Sequence, residues 1–137
     1  MAVRVLIADS SGIARNSLRY LLELGGCKVP AEAENTWQAV NFFRAIQPEI
    51  VAMDMGLSTV DGIDPMALFK TIRDESPKTS IIVLAPDCGS IDRNAMLAQG
   101  ALEVIEAPVD RAGVERMWRR LSAVYPELRR ADGAATN

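Results

Sequence analysis

The sequence predicts an α/β domain in which a parallel sheet carries helices on both of its faces. Three observations support this fold class. Short, continuously apolar runs recur along the chain, which is typical of strands that are buried on both sides. Stretches with apolar residues at helical spacing separate these runs. With 137 residues, the chain has the length of a single domain with a core of its own.

Three strands and two helices alternate in the first half of the chain. The apolar runs that predict the strands lie at 3–9, 27–33 and 50–53. Ser10 or Ser11 is the predicted N-cap of the first helix, and Thr36 is that of the second. Pro30 lacks a backbone N–H, so the strand that contains it is predicted to lie at an edge of the sheet.

The second half continues the alternation with three helices and two strands. The helices are predicted from Asp64-Pro65 to residue 75, at 91–99 and at 110–124, and the strands at 81–85 and 102–105. Trp37 and Trp118 fall at apolar helical positions and are predicted to pack in or beside the core. Small and polar residues end the chain, so we assign 1–125 to the domain and 126–137 to a flexible tail.

The order of the strands follows from the way the five strand–helix pairs connect. Right-handed crossovers predict the order 2-1-3-4-5, in which the first and third strands are neighbours. Asp9 and Asp54 end these two runs, so their carboxylates are predicted to converge at the carboxyl edge of the sheet. Open α/β sheets bind their ligands at this edge, which makes the pair a candidate site.

The composition excludes several kinds of chemistry. The chain contains no histidine, which rules out Ser-His-Asp and Cys-His catalysis and removes a common zinc ligand. Cys27 and Cys88 are too few for a disulfide framework and are interpreted as inert thiols. No apolar run has the length of a membrane span, and the amino terminus does not have the pattern of a signal peptide, so we expect a cytoplasmic protein.

A set of short motifs recurs in register with the five strand–helix units. In chain order these are Leu6-Ile7-Ala8-Asp9-Ser10, Asp54 with Asp61-Gly62, Gly100-Ala101 and Ala107-Pro108. Through these motifs almost the whole chain resembles a response-regulator receiver domain of the CheY-like kind, the phospho-accepting module of bacterial two-component signalling. The resemblance implies one flavodoxin-like (βα)5 domain and a signalling role that is not enzymatic.

The resemblance also implies a chemistry for the two aspartates. In such domains the residue that matches Asp54 attacks the phosphohistidine of a sensor histidine kinase or of a phosphotransfer protein and becomes an acyl phosphate. Mg²⁺ would be held by Asp54, by Asp9 and by the backbone carbonyl of Gly56. An effector protein is expected on the face formed by the fifth strand and the fourth and fifth helices.

Five positions depart from the family pattern. Ser10 replaces the second acid and would be a weaker metal ligand, and Ser58 stands where the family usually has proline. Three further positions carry the Thr or Ser, the aromatic residue and the lysine of the phosphoryl switch in the family. These are here Ala85, Val104 and Ala107.

Two interpretations follow from these departures. In the first, Asp54 is still phosphorylated, weakly, with Asp9 and Gly56 binding Mg²⁺. In the second, the switch is vestigial and the domain works as a protein-binding module or senses something else. The three losses favour the second, so we predict an atypical receiver that acts mainly through protein–protein interaction. A plainer alternative is that Asp54 only caps the loop after its strand and that Asp9 is an N-cap-like residue before the first helix.

Basic residues concentrate at the carboxyl end of a chain whose formal net charge is −3. This candidate anion site comprises Arg116, Arg119, Arg120, Arg129 and Arg130. Guanidinium groups suit phosphate or carboxylate ligands. Some receiver-like proteins have a similar arginine-rich carboxyl end, and this resemblance makes a nucleotide second messenger such as cyclic di-GMP one candidate. An acidic protein surface is another. A solvated basic face is the simplest interpretation. The acidic balance of the chain disfavours nucleic acid as a partner.

A phosphatase with an aspartate nucleophile is the competing enzyme class, because it also uses two acids and Mg²⁺. A resemblance to such enzymes would require Asp-x-Asp after the first strand. This chain has Asp9-Ser10-Ser11 there and carries Asp54 on the third strand. Both facts favour a receiver. Whether the chain acts alone or as part of a longer regulator stays open at this stage.

Overall fold

The computed structural model describes residues 2–86, 91–107 and 109–128. Its strands are β1 (Val3–Ala8), β2 (Cys27–Ala33), β3 (Ile50–Asp54), β4 (Ser80–Ala85) and β5 (Glu103–Glu106). Its helices are α1 (Gly12–Leu24), α2 (Thr36–Ile46), α3 (Pro65–Glu75), α4 (Arg93–Ala98) and α5 (Arg111–Val124). The strands form one parallel sheet in the order β2-β1-β3-β4-β5, which confirms the predicted doubly wound fold.

The pairing of β1 with β3 sets up the carboxyl edge of the sheet. The two strands run in parallel up to Ala8 and Met53, so the next residues, Asp9 and Asp54, leave adjacent strands at the same level. The predicted edge position of β2 is confirmed as well. Its register with β1 shifts beside Pro30, at an irregularity where a missing N–H costs little.

Each face of the sheet has its own apolar core. Helices α1 and α5 cover one face, where Leu22 and Trp118 are buried. Helices α2, α3 and α4 cover the other face, where Phe43, Phe69 and Met96 are buried. Burial from both sides explains why the central strands appear in the sequence as continuous apolar runs.

The helix caps confirm the prediction for α1 and correct it for α2. Ser11 caps α1, whereas Asn35 rather than Thr36 caps α2. Thr36 is fully buried, and its hydroxyl donates to the Ile63 carbonyl at 2.6 Å and accepts from the Val60 N–H at 3.0 Å. Thr36 therefore holds the loop that follows β3 instead of starting a helix.

Several boundaries and exposures differ from the expectation. Helix α4 is shorter than the predicted 91–99 because Asp92 caps it, and β5 begins one residue later than predicted. Trp118 is fully buried, as predicted, while Trp37, in the first turn of α2, leaves 48% of its surface exposed. Among the described residues, no helix combines the length and the apolar character that a membrane crossing needs.

The chain continues to pack on the domain after α5. The Tyr125 hydroxyl donates to the Glu49 carbonyl at 2.9 Å and lies 3.0 Å from the Ser80 hydroxyl. Leu128 is only 6% exposed and joins the core beneath α1 and α5. Leu128, which the sequence analysis placed in the tail, is thus a core residue. The rest of the predicted tail, 129–137, lies outside the described residues.

Candidate functional site

Asp9 is held at the end of β1 by its backbone and by its side chain. The backbone N–H donates to the Ala33 carbonyl of β2 at 3.0 Å, and the backbone carbonyl accepts from Arg15 Nη1 at 2.7 Å. Oδ1 accepts from the Ser11 N–H at 2.9 Å, and Asp9 as a whole is only 6% exposed. The carboxylate therefore lies at the carboxyl edge, as predicted, and also orders the start of α1.

Asp54 is the last residue of β3 and is half-buried. Its Oδ1 accepts from the Gly56 N–H at 3.1 Å. Burial raises the pKa of Asp54 above its ordinary value, the Gly56 N–H lowers this pKa in part, and the charge of Asp9 raises it again. Asp9 and Asp54 line the same crevice, as the strand order predicts.

The two aspartates fit a hard divalent cation. Mg²⁺ prefers oxygen ligands and commonly takes one or two carboxylates from a protein while keeping several waters. Within the described residues, no lysine or arginine pairs with either carboxylate and no third acidic ligand joins them. Gly56 leaves space beside Asp54, since a Cβ at that position would lie 3.4 Å from Oδ2.

The Ser10 hydroxyl, which stands at the second acid position, already has protein partners. It donates to the Glu34 carbonyl at 3.1 Å, accepts from the Ser58 N–H at 3.0 Å and lies 3.0 Å from the Ser58 hydroxyl. Two departures from the family pattern therefore contact each other and join the loops after β1 and β3. To ligate a metal, Ser10 would have to give up these contacts.

The three positions of the family's phosphoryl switch are apolar here. Ala85, at the end of β4, is 4% exposed, and Val104 in β5 is fully buried. Ala107 follows β5, and its N–H donates to the Ala85 carbonyl at 3.0 Å. Together with Asp9 and Asp54, the two alanines line a cavity of about 390 Å³. The crevice thus has two carboxylates but lacks, at these positions, the hydroxyl and ammonium groups expected opposite them.

A buried acidic residue of β5, Glu103, faces part of the predicted arginine-rich end and was not among the predicted site residues. Glu103 is 1% exposed, and its Oε1 accepts from Arg93 Nη2 at 2.6 Å. Its Oε2 lies 3.9 Å from Arg116 Nε and 3.8 Å from Arg120 Nε. Two arginines of the candidate anion site therefore face a buried carboxylate of their own chain.

The other members of the candidate anion site are Arg119, Arg129 and Arg130. Arg119 is exposed on α5. Arg129 and Arg130 lie outside the described residues. The only signal of Glu103 in the sequence is a charged residue inside a predicted strand, and anion binding by the five arginines stays a prediction.

The two cysteines have separate outcomes. Cys27 is buried, and burial raises the pKa of its thiol to about 12, which supports the interpretation of an inert thiol. Cys88 lies outside the described residues.

Comparison with known proteins gives a family match and relatives in sequence. The family model of the response regulator receiver domain matches residues 5–118, a span that contains both aspartates. The chain is 30% identical over 126 residues to the chemotaxis protein CheY of Thermotoga maritima, covering 89% of this chain and 99% of that protein. It is 29% identical over 106 residues to a protein-glutamate methylesterase/protein-glutamine glutaminase of Hahella chejuensis, covering 76% of this chain but only 30% of that protein.

Solved structures share the fold. A response regulator receiver domain protein of Clostridium thermocellum superposes with a TM-score of 0.75 at 18% identity, covering 92% of this chain and 95% of that one. RcsB of Salmonella enterica, bound to a promoter in the presence of a phosphomimetic, superposes with a TM-score of 0.75 at 22% identity. That match covers 90% of this chain and 62% of RcsB, so the chain corresponds to one part of the larger regulator.

Proposed function

The chain belongs to the response regulator receiver domain family, and from that membership we propose that it is an atypical receiver. It acts mainly through protein–protein interaction in phosphorelay signalling, and Asp54 is a weak phospho-acceptor. One observation carries this proposal. The carboxylates of Asp9 and Asp54 share a crevice whose expected hydroxyl and ammonium positions are Ala85 and Ala107.

The retained residues are sufficient for the first part of the chemistry. An Asp54 oxygen attacks the phosphorus of a phosphohistidine, the O–P bond forms as the P–N bond breaks, and the histidine of the donor protein leaves. Asp9, Asp54 and the Gly56 carbonyl would hold Mg²⁺, which supplies charge neutralisation when bound. The proposed phosphoryl donors are a sensor histidine kinase or a phosphotransfer protein.

The altered residues explain why the acyl phosphate is weakly held. Phosphoryl transfer depends on positioning and on charge stabilisation, and hydrogen bonds to charged groups contribute about 1.5–3 kcal/mol each. Neither Ala85 nor Ala107 supplies such a bond. Val104 has no aromatic ring that could change position when the crevice is occupied. A phosphoryl group at Asp54 therefore changes the conformation of the effector face, formed by α4, β5 and α5, very little.

An amide NMR titration with Mg²⁺ and then with beryllofluoride, a phosphoryl mimic, tests this proposal. We expect shifts at Asp9, Asp54 and Gly56 that require millimolar ligand, do not spread to α4 and α5, and vanish in Asp54→Asn. Shifts that spread across α4 and α5 would show a working switch and contradict the weak-acceptor assignment. If the wild-type protein shows no response to beryllofluoride, Asp54 is not a phospho-acceptor.

Restoring the missing groups provides the converse test. Ala107→Lys returns the cation and Ala85→Thr returns the hydroxyl, and each should tighten beryllofluoride binding about tenfold. Ala123→Lys adds the same charge at an exposed position of α5 and is the matched control, which should leave the affinity unchanged. Variants at the crevice that bind no better than this control would mean that the two alanines do not limit phosphoryl binding.

A further inference from the structure

An apolar pocket opens beside the two aspartates. We call it the α1–α5 pocket and define it by Leu18 and Leu21 of α1, Leu84 of β4, Ile105 of β5, and Val114 and Met117 of α5. Asp9, Asp54 and Gly56 line it as well, and its volume is about 390 Å³. Among the described residues of its lining, only Asp9, Asp54 and Ser17 have polar side chains.

A gap between α1 and α5 forms this pocket. Leu18, Leu21 and Val114 pack against the core of this face but remain only partly buried. Ala14 and Ser17, the remaining α1 residues in the lining, are too small to close the gap. Between Ala14 and Leu21, α1 rises by about 10 Å, which sets the depth of the pocket from the carboxyl edge of the sheet.

The end of the pocket at the carboxyl edge is negatively charged. Ala85 and Ala107 line this end and provide neither a cation nor a side-chain donor. In the part of the chain that the structure describes, Asp9 and Asp54 form no ion pair. A half-buried carboxylate beside a buried second carboxylate is stabilised by a cation, which offsets the repulsion between the two negative charges.

We propose that the α1–α5 pocket binds a small organic cation with an ammonium group and an aliphatic body. The ammonium group pairs with Asp54 and Asp9, and the body lies between α1 and α5 against Leu18, Leu21 and Val114. Such a ligand matches both the charge and the apolar lining, as small-molecule sites generally do, whereas Mg²⁺ matches the charge alone. Because the ligand and a phosphoryl group require the same aspartate, the bound cation protects Asp54 from phosphorylation.

The probes are n-butylamine, n-hexylamine and n-octylamine, added to the full chain and followed by backbone amide shifts. We expect the dissociation constant to fall about fourfold for each added methylene until the pocket is filled, because burying one CH₂ group increases the affinity by about that factor. n-Hexanol has the same body as n-hexylamine without the charge and should bind about tenfold more weakly. Mg²⁺ should compete with the amines for the aspartates.

Variants of α1 separate binding in the pocket from general effects on the helix. Ser17→Phe places a large side chain in the pocket and should weaken n-hexylamine about tenfold or more. Asn16→Phe places the same side chain at the adjacent exposed position, outside the lining, and should leave the affinity unchanged. Asp54→Asn keeps the shape of the site and should reduce n-hexylamine to the affinity of n-hexanol.

Three results would overturn this inference. If the amines bind no more tightly than the alcohol, the aspartates do not bind the ammonium group. If Ser17→Phe does not change the affinity for n-hexylamine, the amine does not bind in the α1–α5 pocket. The absence of shifts at Leu18, Val114 and Gly56 with millimolar n-octylamine would exclude both contacts. A response to beryllofluoride without amine binding contradicts this inference but supports the proposed phospho-acceptor function. Amine binding without a response to beryllofluoride supports this inference and contradicts the phospho-acceptor function.

Discussion

Asp54 is a carboxylate in surroundings that disfavour its charge. Its Oδ1 accepts a hydrogen bond from Gly56, but burial and the charge of Asp9 both raise its pKa. A raised pKa means that the folded protein binds the Asp54 proton more tightly than the unfolded chain does. Ionised Asp54 therefore destabilises the fold, and a cation bound in the crevice relieves this cost.

At the residue scale we predict that Asp54→Asn raises the melting temperature by a few degrees at neutral pH. The stability that protonated Asp54 contributes is fully present below the unfolded pKa and is lost as the pH rises through the higher folded pKa. The difference between variant and wild type should therefore vanish below about pH 4. Mg²⁺ should stabilise the wild type and not the variant.

The matched control for this experiment is Asp74→Asn, an exposed substitution on α3. It should show neither the gain at neutral pH nor the loss of the Mg²⁺ effect. Thermal melts followed by circular dichroism across the pH range provide the measurement. An Asp54→Asn protein that melts below the wild type at neutral pH would contradict the destabilising role of the ionised carboxylate.

Secondary-structure elements are joined to the domain by polar contacts between distant residues. Ser10 and Ser58, separated by 48 residues, connect the loops after β1 and β3. Glu103 connects α4 and α5 to β5 through Arg93, with Arg116 nearby. A buried carboxylate with several guanidinium groups around it is costly to disrupt, because each arginine then loses its counter-charge.

At the element scale we predict that Glu103→Gln lowers the free energy of unfolding by about 1.5–3 kcal/mol, the contribution of a hydrogen bond to a charged group, because the arginines that remain are partly exposed. The substitution keeps the shape of the side chain but removes the charge that Arg93 and the α5 arginines face. Glu115→Gln breaks only the exposed pair with Arg111 and should cost less than about 0.5 kcal/mol. Urea denaturation measures both, and equal losses in the two variants would mean that the buried cluster does not hold α4 and α5.

The whole molecule is closed by the segment that follows α5. Tyr125 bonds to Glu49 and Ser80, which lie at the amino ends of β3 and β4, and Leu128 packs beneath α1 and α5. This closure lies at the amino edge of the sheet, whereas Asp9 and Asp54 lie at the carboxyl edge. The closing contacts after α5 and the two aspartates therefore lie at opposite ends of the sheet.

For the whole molecule we predict that a chain ending at residue 124 loses about 2–4 kcal/mol of unfolding free energy, because it lacks a buried leucine and a bonded tyrosine. A chain ending at residue 128 should retain the stability of the full chain within about 0.5 kcal/mol. Urea denaturation checks both, and the folded fraction of each should bind Mg²⁺ equally. If the two truncated chains are equally unstable, the packing of Leu128 contributes nothing.

The sequence by itself determined the fold and the pair of aspartates. Apolar runs and helical spacing record which residues face a sheet, so local patterns predicted the order of strands and helices. The handedness of crossovers then placed the first strand beside the third. The adjacency of Asp9 and Asp54 followed from these two rules without any knowledge of their side-chain contacts.

Only the tertiary structure decided the contacts between distant segments. Asn35 and Thr36 are both acceptable caps, and the choice depends on the loop that binds the Thr36 hydroxyl. Glu103 contacts Arg93 and Arg120 only when α4 and α5 pack beside β5. The α1–α5 pocket likewise depends on how two helices fill the space between them, because periodicity shows which way a side chain faces but not whether its neighbours reach it.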